Sequence, residues 1–317
     1  MKIILTGITG NLGSEIFYSL RRNGHEVVPI IRAENKEDAI KRLGLIFGNE
    51  TNFPEIIISD LEHQSPTIPS IPFDCIIHCA GIVRFKNVQN RNVEMVKNIS
   101  KLAIELNIPL YHVSTAFVWR SDGSEFRNDY EKDKIEAEKI VTELKIPWAI
   151  FRPSILTGNS TTGRILQFTG YHMVLKAFIK AVESAGNNII RFPRFIGETN
   201  ILPVDIAANT IVNCIEDNTR GIYFITNPVP PSSEWLVMTS LKYLGLDKKV
   251  SFIDCSFGEY EKLNLIESEK ELFNFLKNFA LYWTGSHTFP DSQIKLASVD
   301  EEYIKKIINY AESKNWM

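Results

Sequence analysis

Thr6-Gly7-Ile8-Thr9-Gly10-Asn11-Leu12-Gly13 decides how the rest of this chain is read. It follows an apolar run, residues 3–5, and leads into an amphipathic stretch, so the glycines sit where a strand turns into a helix. In that context Gly7 permits a tight turn, Gly10 lets the backbone approach an anion and Gly13 lets the helix lie close on the strand. The amides at the helix N-terminus then face a pyrophosphate. A bare glycine-rich turn without a ligand is the bland alternative. On the first reading Thr6, Gly7, Thr9, Gly10, Asn11, Leu12 and Gly13 are candidate contacts for a dinucleotide.

Outward from this turn, short β-branched runs alternate with helical periods. Residues 2–7, 25–31, 55–61, 73–81 and 148–156 read as strands, and 109–119 as a strand leading into a loop; 14–24, 37–48, 92–107 and 129–144 read as helices. Continuous apolar runs such as Ile3 to Leu5 and Ile76 to Ile77 belong to strands covered on both faces. The rhythm predicts an α/β chain with a Rossmann-like doubly wound parallel sheet. After residue 157 the pattern degrades: a helix spans roughly 171–184, residues 192–205 are rich in turn formers and residues 221–227 return as a strand. The expected division is a nucleotide-binding domain over 1–156 and a smaller substrate-binding region over 157–317, interdigitated with the first, with the reacting groups at the cleft between them.

The chain has 317 residues with 35 Lys and Arg against 38 Asp and Glu, which excludes a bulk basic field for nucleic acid. Its 44% hydrophobic content permits a large core without staples. Cys75, Cys79, Cys214 and Cys255 lack metal-ribbon spacing and read as buried thiols; no metal site is expected. With no apolar run long enough to span a bilayer and no export-type leader, the expected location is the cytoplasm, without a membrane span.

Where the second strand ends, a site for NAD would place Asp or Glu on the adenine ribose, but this chain has Arg32. Glu26 and Glu34 fall off that position. A guanidinium suits a 2′-phosphate, so NADP(H) is the expected cofactor; a solvated arginine is the alternative, and Arg42 reads equally as an assistant or as a helix-face charge. Tyr130 and Lys134 are one helical turn apart and share a face. An ammonium there lowers the phenol pKa, and Thr115 can place a hydroxyl on the same carbonyl oxygen, so these three are the candidate catalytic residues.

Together these motifs resemble the extended short-chain dehydrogenase/reductase family, closest to its thioester reductase and fatty acyl-coenzyme A reductase branch, over most of residues 1–210. The resemblance rests on residues 6–15, 59–61, 78–85, 111–119, 151–158 and 200–212, together with the Tyr130–Lys134 pair. It implies that Asp60 and Leu61 contact adenine, that Cys79, Ala80 and Gly81 border the cofactor, that Arg152, Pro153 and Ser154 lie beside the nicotinamide, and that Tyr130 and Lys134 touch both cofactor and substrate. The activity it implies is NADPH-dependent reduction of an acyl thioester, on a carrier protein or coenzyme A, to an aldehyde or alcohol. The acyl group would arrive on another protein, because the chain carries no adenylation or carrier domain. The residues themselves support carbonyl reduction only, leaving a free ketone or aldehyde, a nucleotide-sugar epimerase or dehydratase, and a non-catalytic NADP(H) sensor as alternatives.

Trp119-Arg120 stands where sugar-nucleotide epimerases show Tyr-Gly, and residues 282–293 match the branch's Phe-Asp element only loosely. His78 and His112 read as satisfied core histidines, and Phe168, Tyr171, Phe178, Phe192 and Phe195 as core or an acyl pocket. Arg164, Lys176, Lys180, Arg191 and Arg194 read as solvated charges or as a surface for an acidic carrier protein.

Overall fold

Strands apolar on both faces need helices above and below, and parallel strands joined by right-handed crossovers supply them. The computed structural model, which describes residues 1–48, 53, 55–85, 90–120, 123–284, 287–295 and 299–316, has this arrangement. Numbered along the chain, the first half holds β1 (Lys2–Thr6), α1 (Asn11–Arg22), β2 (Glu26–Ile31), α2 (Lys36–Phe47), β3 (Ile57–Ile58), β4 (Cys75–His78), α3 (Arg91–Leu106), β5 (Leu110–Val113), α4 (Asp129–Thr142) and β6 (Trp148–Pro153). The second half holds β7 (Ile155–Thr157), α5 (Tyr171–Ala185), β8 (Ile190–Pro193), β9 (Ile201–Pro203), α6 (Val204–Glu216), β10 (Gly221–Ile225), α7 (Ser233–Tyr243), β11 (Val250–Ile253), α8 (Phe257–Tyr260), α9 (Glu267–Leu276), α10 (Ala280–Trp283) and α11 (Glu301–Ser313).

The first of two units comprises Met1–Ser154, Val204–Thr226 and Phe289–Lys295. Its seven strands pair in parallel in the order β3-β2-β1-β4-β5-β6-β10. The order changes direction between β1 and β4, the switch point at which doubly wound sheets bind ligands. Ile4, Val28, Ile76, Leu110 and Ile150 pack on one face against Val96 and Ile99 of α3 and Val141 of α4. Packed against each other, α1 and α6 supply the second helical layer.

Three differences from the sequence reading bear on how the sheets are built. The expected strand 55–61 is paired only at Ile57–Ile58, because Asp60 turns the chain: its Oδ1 accepts from Glu62 N (3.1 Å) and its carbonyl from His63 N (3.0 Å). The expected strand 148–156 breaks at Ser154, whose amide donates to Ile225 O (3.1 Å) while that of Ile155 donates to Asn200 O (3.2 Å). The two amides thus serve different sheets. In addition to the returning strand, the first unit takes α6 and the segment 289–295, which bridges β10 through Gln293 N to Phe224 O (2.9 Å).

The second unit comprises Ile155–Pro203, Asn227–Thr288 and Leu296–Met317. It holds two small parallel sheets, β7 with β9 and β8 with β11, so the turn-rich stretch 192–205 contains short strands. Tyr171, Phe178, Phe192 and Phe195 are buried in its core, where Phe192 packs on Phe178, Phe195, Tyr260 and Phe273. Of the basic residues singled out from the sequence, Arg191 is held by both oxygens of Glu269 (2.9 and 2.8 Å) and Arg194 by Glu234 and Asp254. Their charges are met inside the chain. Lys176 donates to Trp316 O (2.8 Å) and Lys180 lies 4.0 Å from Glu271. Cys75 and Cys214 are buried, but Cys79 and Cys255 only half so. No described helix is long and apolar enough to cross a membrane.

Candidate active site

Gly7 adopts φ +72°, and a Cβ there would lie 2.5 Å from Ala80 N; at Gly13 a Cβ would lie 2.1 Å from Gly7 O. A side chain at either position would force β1, the turn and the loop after β4 apart. The turn is closed by Gly10 N donating to Gly7 O (2.9 Å). The first turn of α1 has no acidic residue and no side-chain cap, whereas Arg21 and Arg22 occupy its last turn, so the positive end of the helix dipole is left for an external anion.

Loop 79–81 is tied to this turn through Thr6, whose buried hydroxyl accepts from Ala80 N (3.0 Å) and shares a hydrogen bond with His78 Nδ1 (2.8 Å). Burial, with the Lys134 charge adding to it, lowers the His78 pKa to about 3, so the imidazole is neutral. His112 stacks on His78 with ring centroids 5.3 Å apart, and its pKa is likewise lowered by burial. Cys79 is held as a thiol, its pKa pushed up to about 12 by burial.

Helix α4 begins at the Asn128 cap, which accepts from Glu131 N (3.0 Å), and its first turn delivers Tyr130. Tyr130, Lys134 and Thr115 are 9%, 4% and 6% exposed. Thr115 lies past the end of β5, where it caps a short turn over Ala116–Val118, and its side chain is hydrogen-bonded to that of Tyr130. Lys134 Nζ donates to Val113 O (2.9 Å) and would lie 3.4 Å from a Cβ on Gly81. The candidate catalytic groups and the loop after β4 therefore meet within one unit.

The expected lowering of the Tyr130 pKa is not what the geometry produces. Burial pushes it up, the hydrogen bond with Thr115 opposes that, and the Glu131 and Asp133 charges push it up further. The ammonium is engaged with Val113 O and is itself buried, which lowers the Lys134 pKa to about 8. Tyr130 is therefore a protonated phenol at neutral pH, the form a proton donor needs.

Arg152 does not point a free charge at a ligand: its Nε and Nη2 bind Glu138 of α4 at 3.0 and 2.6 Å, and its guanidinium lies over the Phe224 ring. Pro153 closes β6, and the buried Ser154 Oγ has no hydrogen-bond partner among the described residues. Leu61 packs its side chain in the core while its carbonyl accepts from Asn98 Nδ2 (2.9 Å), and Asp60 shapes the turn described above. Arg32 is 64% exposed in its side chain and contacts Glu62 Oε1 at 3.1 Å.

Several supporting residues were missed from sequence. Asn92 Oδ1 accepts from Ile82 N (2.8 Å), while its backbone amide and Nδ2 both donate to Asp133 Oδ2 (3.0 and 2.6 Å), fastening the loop after β4 to α4. Buried Glu131 gathers Arg120 and Arg127 and holds the chain leading into α4. Glu131, Asp133 and Glu138 are buried; three carboxylates inside a helix of low apolar content are the available sequence signal, but their partners lie elsewhere in the chain.

The profile of the male sterility protein family matches residues 5–211. Among curated proteins, the hybrid PKS-NRPS synthetase pvhA of Talaromyces variabilis is 28% identical over 179 residues, 50% of this chain and 4% of that synthetase. Methionine adenosyltransferase 2 subunit beta of Bos taurus is 26% identical over 175 residues, 50% of this chain and 48% of the subunit. The chain spans less than half the length of either relative. A solved thiolation-reductase di-domain from an archaeal non-ribosomal peptide synthetase shares the fold with a TM-score of 0.72 at 18% identity, over 99% of this chain and 76% of that one. The matched span contains the glycine turn, Thr115, Tyr130 and Lys134, and the chain belongs to the male sterility protein family.

Proposed function

We propose that this chain is an NADPH-dependent reductase whose substrate is an acyl thioester held on a carrier protein or on coenzyme A. The observation that carries the reading is the Thr115–Tyr130 hydrogen bond with buried Lys134 one helical turn along α4. The cradle fits a dinucleotide: the space a Cβ would fill at Gly7 and Gly13 is closed to any side chain, and the helix end above it carries no acid. In this reading Thr6 to Gly13 hold the pyrophosphate, Arg32 the 2′-phosphate, Asp60 and Leu61 the adenine side, Cys79 to Gly81 the middle of the cofactor, and Pro153 and Ser154 the nicotinamide end. When bound, NADPH supplies a hydride to the carbonyl carbon.

Tyr130 gives its proton to the carbonyl oxygen, and Thr115 donates a hydrogen bond to that oxygen as negative charge develops. Lys134 holds the ribose and keeps a positive charge behind the phenol. Loss of the carbon–sulfur bond from the resulting hemithioacetal releases thiol and aldehyde, and a second round gives an alcohol. The thioester is supported by family membership and by the nature of the relatives, a hybrid PKS-NRPS synthetase and a reductase domain joined to a thiolation domain. Trp119-Arg120 weighs against nucleotide-sugar chemistry.

A panel of acyl-carrier, acyl-coenzyme A, free aldehyde and nucleotide-sugar substrates, offered with NADPH and followed by absorbance and product mass, tests this. Thiol release matched to NADPH consumption is expected. Turnover of free carbonyls or nucleotide sugars alone would overturn the thioester; cofactor binding without any turnover would make the chain a sensor.

A further inference from the structure

Arg32 at the end of β2 does not stand alone. Glu62, 12% exposed in its side chain, accepts from Arg32 Nη1 at 3.1 Å and from Arg91, the first residue of α3, through Nε (2.5 Å) and Nη2 (2.8 Å). One carboxylate serves two guanidiniums unequally, gripping Arg91 with both oxygens and touching Arg32 through a single nitrogen. The loop that carries Glu62 is pinned by Asp60 Oδ1 at its own amide and by Asn98 at the Leu61 carbonyl. Arg42, paired with Asp38, anchors the Arg32 carbonyl (3.0 Å) and leaves the Arg32 guanidinium alone. The geometry holds Arg32 in place with most of its donors open to solvent.

We propose that Glu62 and Arg91 are specificity-determining residues for a 2′-phosphate: Glu62 orients Arg32, and Arg91 neutralises the carboxylate that would otherwise repel the phosphate Arg32 receives. This rests on the NADP(H) reading of Arg32. Without Arg91, Glu62 has Arg32 as its remaining partner among these two guanidiniums, so its charge competes with a 2′-phosphate for Arg32, which disfavours a phosphate and tolerates a hydroxyl.

Calorimetric binding of adenosine 2′,5′-bisphosphate and of 5′-AMP, which differ only in the 2′-phosphate, tests the arrangement without turnover. Arg91→Ala is expected to weaken the bisphosphate about tenfold and leave 5′-AMP within about twofold, the scale of one partly exposed charge. Glu62→Gln alone is expected to tighten the bisphosphate about threefold, and added to Arg91→Ala it is expected to restore most of the loss. If wild type binds both ligands equally, the NADP(H) reading falls and takes this one with it. If wild type prefers the bisphosphate but Arg91→Ala weakens both ligands alike, or Glu62→Gln fails to rescue it, the proposal is overturned while the cofactor reading stands. Should Arg91→Ala not fold, Glu62→Gln decides, and an unchanged ratio of affinities overturns the proposal.

Discussion

Lys134 and Tyr130 share a helix face, but burial acts on them in opposite directions: it disfavours the ammonium of one and the phenolate of the other. Because the Lys134 pKa falls to about 8 while that of Tyr130 rises, an alkaline loss of activity belongs to Lys134. Reductive kcat/KM, which reports the free enzyme, is expected to fall about tenfold per pH unit above pH 8. In Lys134→Arg, whose side chain does not titrate there, that limb should disappear; its survival would show that Lys134 is not the group responsible. Stability moves the other way. Folding lowers this pKa from 10.5 to about 8, so between those values the unfolded chain holds more protons and the Lys134 contribution to stability rises with pH. Unfolding at Lys134 therefore cannot account for the activity loss. Tyr130→Phe, which keeps the ring and removes the proton donor, is expected to lower kcat by a factor of about 100 to 10,000 with little change in cofactor affinity. Full activity in that variant would reject the catalytic assignment whatever the substrate.

At the scale of an element, α4 is a polar helix held by its buried acids. Glu131 takes Arg120 and Arg127, Asp133 takes Asn92, and Glu138 takes Arg152, so three parts of the first unit are registered against the helix that carries Tyr130 and Lys134. Its four-residue spacing was legible from sequence because period and chemistry coincide locally. The acids were not, because a carboxylate in a helix looks the same whether it meets water or an arginine from another segment. Asp133→Ala leaves two donors of Asn92 without their acceptor in a buried place, at a cost of about 2–4 kcal/mol, whereas Asp133→Asn retains an acceptor and costs about half of that. Urea unfolding of the two variants tests this, and equal stability would show that the Asn92 contact contributes nothing.

Across the whole molecule, the residues proposed to bind cofactor all belong to the first unit, whereas α9 belongs to the second. Hydrogen exchange with and without saturating NADP+ should therefore slow amides at 7–13 and 79–82 about tenfold or more, with those of α9 unchanged. Protection spread evenly over both units, or concentrated in α9, would reject the assignment. The pairing of Phe289 with Phe117 and Phe224 shows how far along the chain the first unit recruits its parts.

The sequence by itself determined the parallel sheet, the glycine turn and the Tyr130–Lys134 face, because each depends on residues within one or two turns of one another and their backbone or side-chain chemistry permits few alternatives. Tertiary structure decided what those groups become. Thr115 meets Tyr130 only because the chain turns after β5, Arg152 is consumed by Glu138 across the β6–α4 packing, and Glu62 divides itself between Arg32 and Arg91 from three separate segments. The rise in the Tyr130 pKa has the same origin: a lysine four residues away is written in the sequence, but the desolvation that raises the pKa exists only once the fold has closed around the phenol.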